Sequence, residues 1–411
     1  MSSDTFDSTT FDITAIDPFD PAFRADPYPV YRRLREEAPI YQSPLEPDVF
    51  ILTRFADCEA VLRDTRWSSN PVHRPQAKRE QATDVRTATS QTDLHVLLFM
   101  DPPDHTRLRR LVSKAFTPRR VEALRPRIGE SVDEVLDRAA DEGGLDIVAD
   151  LGYTVPITVI CEMMGVPVAD RDLFAPWSSA ASRLLDGDIS QDELTAGLAG
   201  VMAIINYFND LFEERRRAPG DDLVSALLAA EEEGDRLTES ELRMMTLLTF
   251  IAGHETTTNL IGNGMKALLE HRDQFDRLVA EPDLIASTVD ECLRWDGAAH
   301  LTGRVATTEI EVGGRTFAAG DQVVTLLAAA NRDPARFDHP ETFDIGRSDP
   351  HHLAFSHGIH HCLGASLARA EGQVAIGSLV RRFPDMELRT TTPEYREHFV
   401  LRGLRELQVA V

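Results

Sequence analysis

Apolar positions recur every three to four residues through 104–116, 119–141, 170–186, 191–217 and 221–233, which predicts amphipathic helices there. Asp26-Pro27-Tyr28-Pro29 opens an earlier helix that Pro39 follows, and Thr53 to Arg63 reads as another. The stretch 238–271 reads as one long helix, about 50 Å at 1.5 Å per residue. Its middle, Met244 to Gly253, carries no charge. A helix that is apolar all round is a buried one. Residues 283–296 form a further amphipathic helix.

Strand signals come later. Val305–Ile310 and Arg315–Phe317 flank Gly313-Gly314 and predict a hairpin. Val323–Leu327 is a short apolar strand, 331–347 is irregular, a helix runs from Cys362 to about Arg382, and 385–411 alternate like strands. Ser68 to Asp93 is polar and predicts a long loop, a length often associated with functional lids. The pattern predicts a mainly α fold with small β sheets. A single compact domain over 18–411 is expected, behind a tail over 1–17 whose acidic composition predicts disorder.

Composition narrows the function. The 411 residues are 42% hydrophobic, enough for a large core. Lys and Arg number 43 and Asp and Glu 68, a net charge of −25. That excludes a general nucleic-acid footprint and attraction to an anionic membrane. The longest run free of Asp, Glu, Lys, Arg and His is Leu194–Asn209, shorter than the ~20 residues a spanning helix needs. The N-terminus lacks the basic start and apolar run of a signal peptide. Cys58, Cys161, Cys292 and Cys362 are far apart with no CxxC pair, which points to a reducing cytoplasm.

Candidate chemistry centres on Phe355-Ser356-His357-Gly358-Ile359-His360-His361-Cys362-Leu363-Gly364. Here a lone Cys stands where an irregular loop meets a helix. Backbone N–H groups and the helix dipole would stabilise a thiolate there. Gly358 and Gly364 allow close backbone approach. The arrangement suits a thiolate kept ionised under a large flat cofactor. Two blander readings stand beside it. One is a small buried hydrophobe. The other is a zinc site among His351, His352, His357, His360, His361 and Cys362, although the usual ligand spacings are absent.

Three other patterns stand out. The apolar run of 244–253 ends in His254-Glu255-Thr256-Thr257-Thr258. Glu255 is costly to bury unless partnered, and the hydroxyls compete for backbone carbonyls, so a local opening that holds water is expected. A capped or solvated helix end would look the same. Leu248, Ala252 and Thr256, four apart, share one face. Glu291 and Arg294 are an i, i+3 pair, which alone is a weak ion pair. His105 to Arg120 carries six Lys/Arg and no acid.

Phe355-x-x-Gly358-x-His360-x-Cys362-x-Gly364 resembles the haem-binding loop of the cytochrome P450 family. The likeness runs from about residue 17 to the end, with motifs in the expected order. Ser356 stands where the family usually has Gly, and Trp295-Asp296-Gly297 where a Pro is common. The resemblance implies a soluble, bacterial (actinobacterial-like) class I member. It implies haem b, with Cys362 as proximal iron ligand and a thiolate that favours O–O cleavage. Ala252-Gly253-His254-Glu255-Thr256-Thr257 is similar to the oxygen-activation motif. This implies that Glu255 and Thr256 are an acid–alcohol pair that relays protons, with Ala252 against the haem. Glu291-Cys292-Leu293-Arg294 resembles the ExxR motif, with Arg347 as its structural partner. His105, Arg109, Arg304 and His360 match the propionate partners.

By the same resemblance, the substrate pocket draws on the 68–98 loop and the 170–200 region. It also draws on Leu248, Ile251, Ala252, Ala299, His300, Leu301, Phe399 and Val400. The pocket is apolar, with His300 as the polar exception, which could hydrogen-bond a substrate or equally serve packing or the haem edge. The implied activity puts one oxygen atom of O2 into an apolar small molecule or natural product of secondary metabolism, or oxidatively couples it. Electrons come from NAD(P)H through ferredoxin reductase and ferredoxin, which docks by its acidic face on Arg107, Arg110, Lys114, Arg119 and Arg120. A cytoplasmic monomer is expected. The alternatives are a haem-thiolate sensor without turnover, a peroxide-driven enzyme and a zinc hydrolase. The Glu255–Thr256 pair favours turnover, because a sensor needs no proton relay.

Overall fold

The computed structural model describes residues 20–44, 46–76, 96–113, 116–186, 189–232 and 235–411. The expected tail, Lys114 and most of the 68–98 loop lie outside the described residues.

The principal helices are α1 (Tyr28–Glu37), α2 (Phe55–Arg63), α3 (Asp104–Ser113), α4 (Pro118–Glu142), α5 (Thr154–Met164), α6 (Arg171–Arg183), α7 (Gln191–Arg217), α8 (Glu239–Glu270), α9 (Arg272–Ala280), α10 (Ile285–Asp296) and α11 (Ala365–Arg382). Local chemistry sets several ends. Ser190 with Glu193, and Thr238 with Glu241, form capping boxes that start α7 and α8. α4 starts at a Thr117 cap followed by Pro118 and stops at Gly143, whose φ of 70° is the left-handed conformation glycine favours.

The long helix α8 is the axis of the core. Its C-terminal half packs Ile261 and Leu268 with Val132 and Leu136 of α4, Val289 of α10 and Ile376 of α11. Its N-terminal half packs Phe250 against Phe174 of α6, ring centroids 4.3 Å apart, and against Phe208 of α7. The expected opening near Thr256 is absent as a break. The helix runs through, and the Thr256 and Thr258 hydroxyls bond the carbonyls of Ala252 and His254 at 2.8 and 3.0 Å.

Five strands form the larger sheet: β1 (Ile40–Gln42), β2 (Val49–Leu52), β3 (Trp67–Ser68), β5 (Leu301–Ala306) and β8 (Gln322–Leu326). Their order is β1-β2-β8-β5-β3, antiparallel except for β2 against β8. Val323 pairs with Arg304, which fixes Arg304 in the middle of β5. The predicted hairpin is there, as β6 (Ile310–Val312) and β7 (Arg315–Phe317). A three-stranded sheet joins β4 (Gly144–Asp146) to β9 (Glu387–Leu388) and β10 (Gln408–Ala410). Most of the alternating 385–411 segment is not strand. Ile147–Met164, a π-helical turn running into α5, is long and apolar enough to cross a membrane by composition, and 67% of it is buried inside the fold.

Candidate active site

The Cys362 loop is shaped by backbone constraints. Gly358 has φ of +68°, and a Cβ there would lie 2.2 Å from the Leu62 carbonyl at the end of α2. Only glycine fits that approach. Ser356 also adopts a left-handed φ of +60°, although it is not glycine, and its buried hydroxyl has no hydrogen-bond partner among the described residues. The Cys362 N–H donates to the Phe355 carbonyl at 2.9 Å, which closes the loop. Of the four cysteines only Cys362 is exposed. Protein packed around its sulfur still pushes the thiol pKa up, against the Gly364 N–H and the guanidinium groups of Arg109 and Arg369, which favour the thiolate.

Beneath this loop an ion network holds the segment 331–347. Glu291 and Arg294 are fully buried and pair through two bonds of 2.7 and 2.8 Å. Arg347 reaches Glu291 Oε2 at 3.1 Å. Both arginines also donate to loop carbonyls, Arg294 to those of Asn331, Pro340 and Thr342, and Arg347 to those of Asp338 and Thr342. Sequence reasoning missed Asn331, whose Oδ1 accepts the Leu353 N–H at 2.7 Å and so links this network to the Cys362 loop. A loop asparagine carries no local signal of such a role.

The predicted propionate partners come together. The rings of His105 and His360 are 4.3 Å apart. Burial pulls the His105 pKa down to about 4 and that of His360 to about 2, and Arg109 and Arg304 add to both. Both ring nitrogens of His105 and Nε2 of His360 are buried without a partner among the described residues. Two guanidinium groups beside two imidazoles with partnerless ring nitrogens fit a group bearing two carboxylates, as haem does. The residues present therefore fit haem b.

On α8, Ala252 is exposed and Thr256 half-buried, while Phe250, His254 and Glu255 beside them are buried. The face shared by Ala252 and Thr256 therefore borders open space. Leu248 and Ile251 are half-buried nearby. Glu255 turns elsewhere. Its Oε1 lies 3.6 Å from Arg396 Nη1, and its pKa is raised by burial, against the pull of His398, Ser182 and Arg396. Asp186, beyond the end of α6, accepts the N–H groups of Phe399 and Val400 at 3.0 and 2.9 Å and lies 3.1 Å from His398 Nδ1. Sequence reasoning found Glu255 but not Ser182, Asp186, Arg396 or His398, which meet it only through tertiary folding.

Two expected pocket residues, His300 and Leu301, are buried. His300 is buried, with Nδ1 3.2 Å from the Tyr31 hydroxyl and Nε2 3.5 Å from Asp296. Asp296 also accepts from Tyr28, Tyr395 and Arg402, and this polar cluster draws His300 inward. Leu301 packs with Tyr28, Tyr31 and Leu326 in a small core, and Val400 lies against it. Ala299 is half-buried and bridges Leu401, and Phe399 is exposed. In the basic stretch, Arg107 pairs with the buried Glu241, and Arg110, Arg119 and Arg120 are exposed. The histidines of the alternative zinc reading turn to partners other than Cys362. His352 turns to Asp290, His360 to His105, and His351 and His357 to Glu59.

A mainly α fold with an invading cysteine loop, a buried Glu–Arg–Arg network and a cationic pocket defines a haem-thiolate type of protein. The cytochrome P450 family model matches residues 193–409. Cytochrome P450 107B1 of Saccharopolyspora erythraea is 41% identical over 408 residues, covering 98% of this chain and 99% of its own. Vitamin D(3) 25-hydroxylase of Pseudonocardia autotrophica is 41% identical, covering 96% of both. The solved structure of the Bacillus subtilis 168 bacillaene polyketide synthase cytochrome P450 PksS superposes with a TM-score of 0.86 at 36% identity, covering 96% of this chain and 99% of its own. The chain belongs to the cytochrome P450 family, in its bacterial branch. It is a haem monooxygenase that uses haem b, O2 and a redox partner.

Proposed function

We propose that Cys362 is the iron ligand and that His105, Arg109, Arg304 and His360 hold the haem propionates. The orphaned ring nitrogens of His105 and His360, set among arginines, carry this reading. Bound there, haem b supplies the redox chemistry that splits dioxygen. The protein's own residues then do three things. Glu291, Arg294 and Arg347 keep the loop under Cys362 rigid. Glu255 holds a proton more tightly than a surface glutamate does, because it is buried. Thr256 Oγ1 donates to Ala252 O in the resting helix and is placed on the open face to pass a proton onward.

The substrate is an apolar small molecule of natural-product size, hydroxylated, epoxidised or coupled against Leu248, Ile251, Ala252 and Ala299. The names of relatives, a vitamin D(3) hydroxylase and a polyketide-synthase P450, support that class. Electrons come from NAD(P)H through a reductase and an acidic ferredoxin, which docks on exposed Arg110, Arg119 and Arg120. Residues 18–411 act as one catalytic domain in the cytoplasm. The test screens apolar compounds by the shift of the haem absorption on binding, then runs turnover under labelled O2 with a surrogate ferredoxin, its reductase and NADPH. One labelled atom in the hydroxylated product supports the reading. NADPH consumption with no labelled or coupled product for any binding compound refutes it.

A further inference from the structure

Glu59 of α2 meets two histidines from the segment that leads into the Cys362 loop. His351 Nε2 lies 3.4 Å from Glu59 Oε1, and His357 Nε2 lies 3.7 Å from the same oxygen. One ligand atom from each of the three residues lies within 4.8 Å of the others. These separations are long for N–H···O hydrogen bonds, which centre near about 2.9 Å. They are close to the edge of a tetrahedron of zinc ligands, about 3.4 Å for bonds of roughly 2.1 Å.

The three side chains are held from different parts of the fold. Glu59 stands on a helix whose Phe55 packs edge-on against the His351 ring at 5.9 Å. The His351 N–H bonds Asp349, and the His351 and His357 rings are 5.7 Å apart. The side chains of Glu59, His351 and His357 are 26%, 48% and 27% exposed, so an ion can reach them from solvent.

We propose that Glu59, His351 and His357 form a surface site for a divalent transition-metal ion, with zinc the best fit and water in the fourth position. Two imidazoles and a carboxylate are a zinc donor set. The site itself is independent of the monooxygenase reading, and its effect on the haem loop rests on the proposed ligation by Cys362. Burial holds the His357 pKa below its usual value, which leaves the ring neutral and able to bind. Arg63 Nη1, 3.9 Å from Glu59 Oε1, competes for the carboxylate, but its side chain is 63% exposed and can swing into solvent.

Binding would be felt at the haem loop. His357 Nδ1 accepts the Gly358 N–H at 2.7 Å, so the neutral ring carries its hydrogen on Nε2. A metal on Nε2 needs that lone pair. The hydrogen then moves to Nδ1, and the Gly358 N–H loses its acceptor. Gly358 begins the turn to His360 that precedes Cys362. Occupancy therefore loosens the cap on the loop that presents Cys362.

The test is calorimetric titration of zinc into haem-loaded protein near pH 7.5, for the native chain, Glu59→Gln and His351→Ala, with circular dichroism to confirm that all three are folded. One equivalent is expected in the native protein, with affinity at least tenfold weaker in both variants, since even an outer partner of a metal ligand is worth roughly 10–100-fold. The main haem absorption band should shift on zinc addition only in the native protein. No one-to-one binding, or equal affinity in all three, overturns the site. Tight binding with an unmoved haem band overturns the coupling to Cys362.

Discussion

Replacing Glu371 by Gln tests how dry the ground between α8 and α11 is. Glu371 is 1% exposed, and neither carboxylate oxygen has a well-formed hydrogen bond among the described residues. Burial pushes its pKa from 4.5 up to about 8, with the Thr257 hydroxyl pulling weakly the other way. Below pH 4.5 the acid is protonated whether the chain is folded or unfolded, so it adds no pH dependence there. Between 4.5 and 8 the unfolded chain gives up this proton and the folded chain keeps it. Each pH unit in that window therefore favours unfolding by about 1.4 kcal/mol, or about 4 kcal/mol by pH 7.5. Glutamine keeps the shape and has no proton to lose. The variant should gain on the native protein by about 1.4 kcal/mol per unit between about pH 5 and 7.5, and match it most closely at the acid end. Urea unfolding of both haem-loaded proteins at half-unit steps measures this. A difference that stays flat across the range would show that Glu371 is ionised in the folded state and would refute the reasoning.

Thr256→Ala should keep its haem while product formation falls at least tenfold and electrons go to hydrogen peroxide, since a placed proton-transfer group contributes roughly 10²–10⁴-fold; unchanged product per NADPH would remove the relay role. Ser356→Gly should stabilise the protein by about 0.5–1 kcal/mol. The left-handed backbone costs a non-glycine residue about 1–2 kcal/mol, and glycine's extra unfolded freedom returns part of that; a lower urea midpoint would contradict it. Glu291→Ala leaves Arg294 and Arg347 unpaired beneath the loop. It should cost about 3–5 kcal/mol and yield protein poor in haem, read by haem absorbance per chain; full haem content would contradict the supporting role of that network.

Much of the fold is legible in the sequence where one face of a helix is polar. The expected 191–217 coincides with Gln191–Arg217, and 238–271 with Glu239–Glu270, because capping boxes mark both starts. The helix Thr154–Met164 escapes a periodic reading, since Val155, Ile157, Val159, Ile160 and Met164 are buried on all sides. The alternation over 385–411 misleads because, outside the short strands β9 and β10, its apolar residues, Tyr395 and Leu404 among them, enter the core from loops joined by an isolated bridge. The site residues that were legible lie in contiguous motifs, as Cys362 and Glu255 do. Those that were not, Asp186 from 69 residues earlier and Arg396 and His398 from 141 and 143 residues later, meet Glu255 only in the fold, so no local pattern reveals them. For His300 the substrate and packing readings stay level in the sequence, because spacing alone cannot show that Asp296, one helical turn earlier, lies beside its ring.

The bond between Cys362 Sγ and haem iron is most directly tested by the absorption of the reduced protein under carbon monoxide, for the native chain and Cys362→His. The native protein should show the strongly red-shifted band of a thiolate ligand, and the variant should lose it while still binding haem. A native spectrum of the imidazole type, or a thiolate-type band that survives in the variant, would contradict the account.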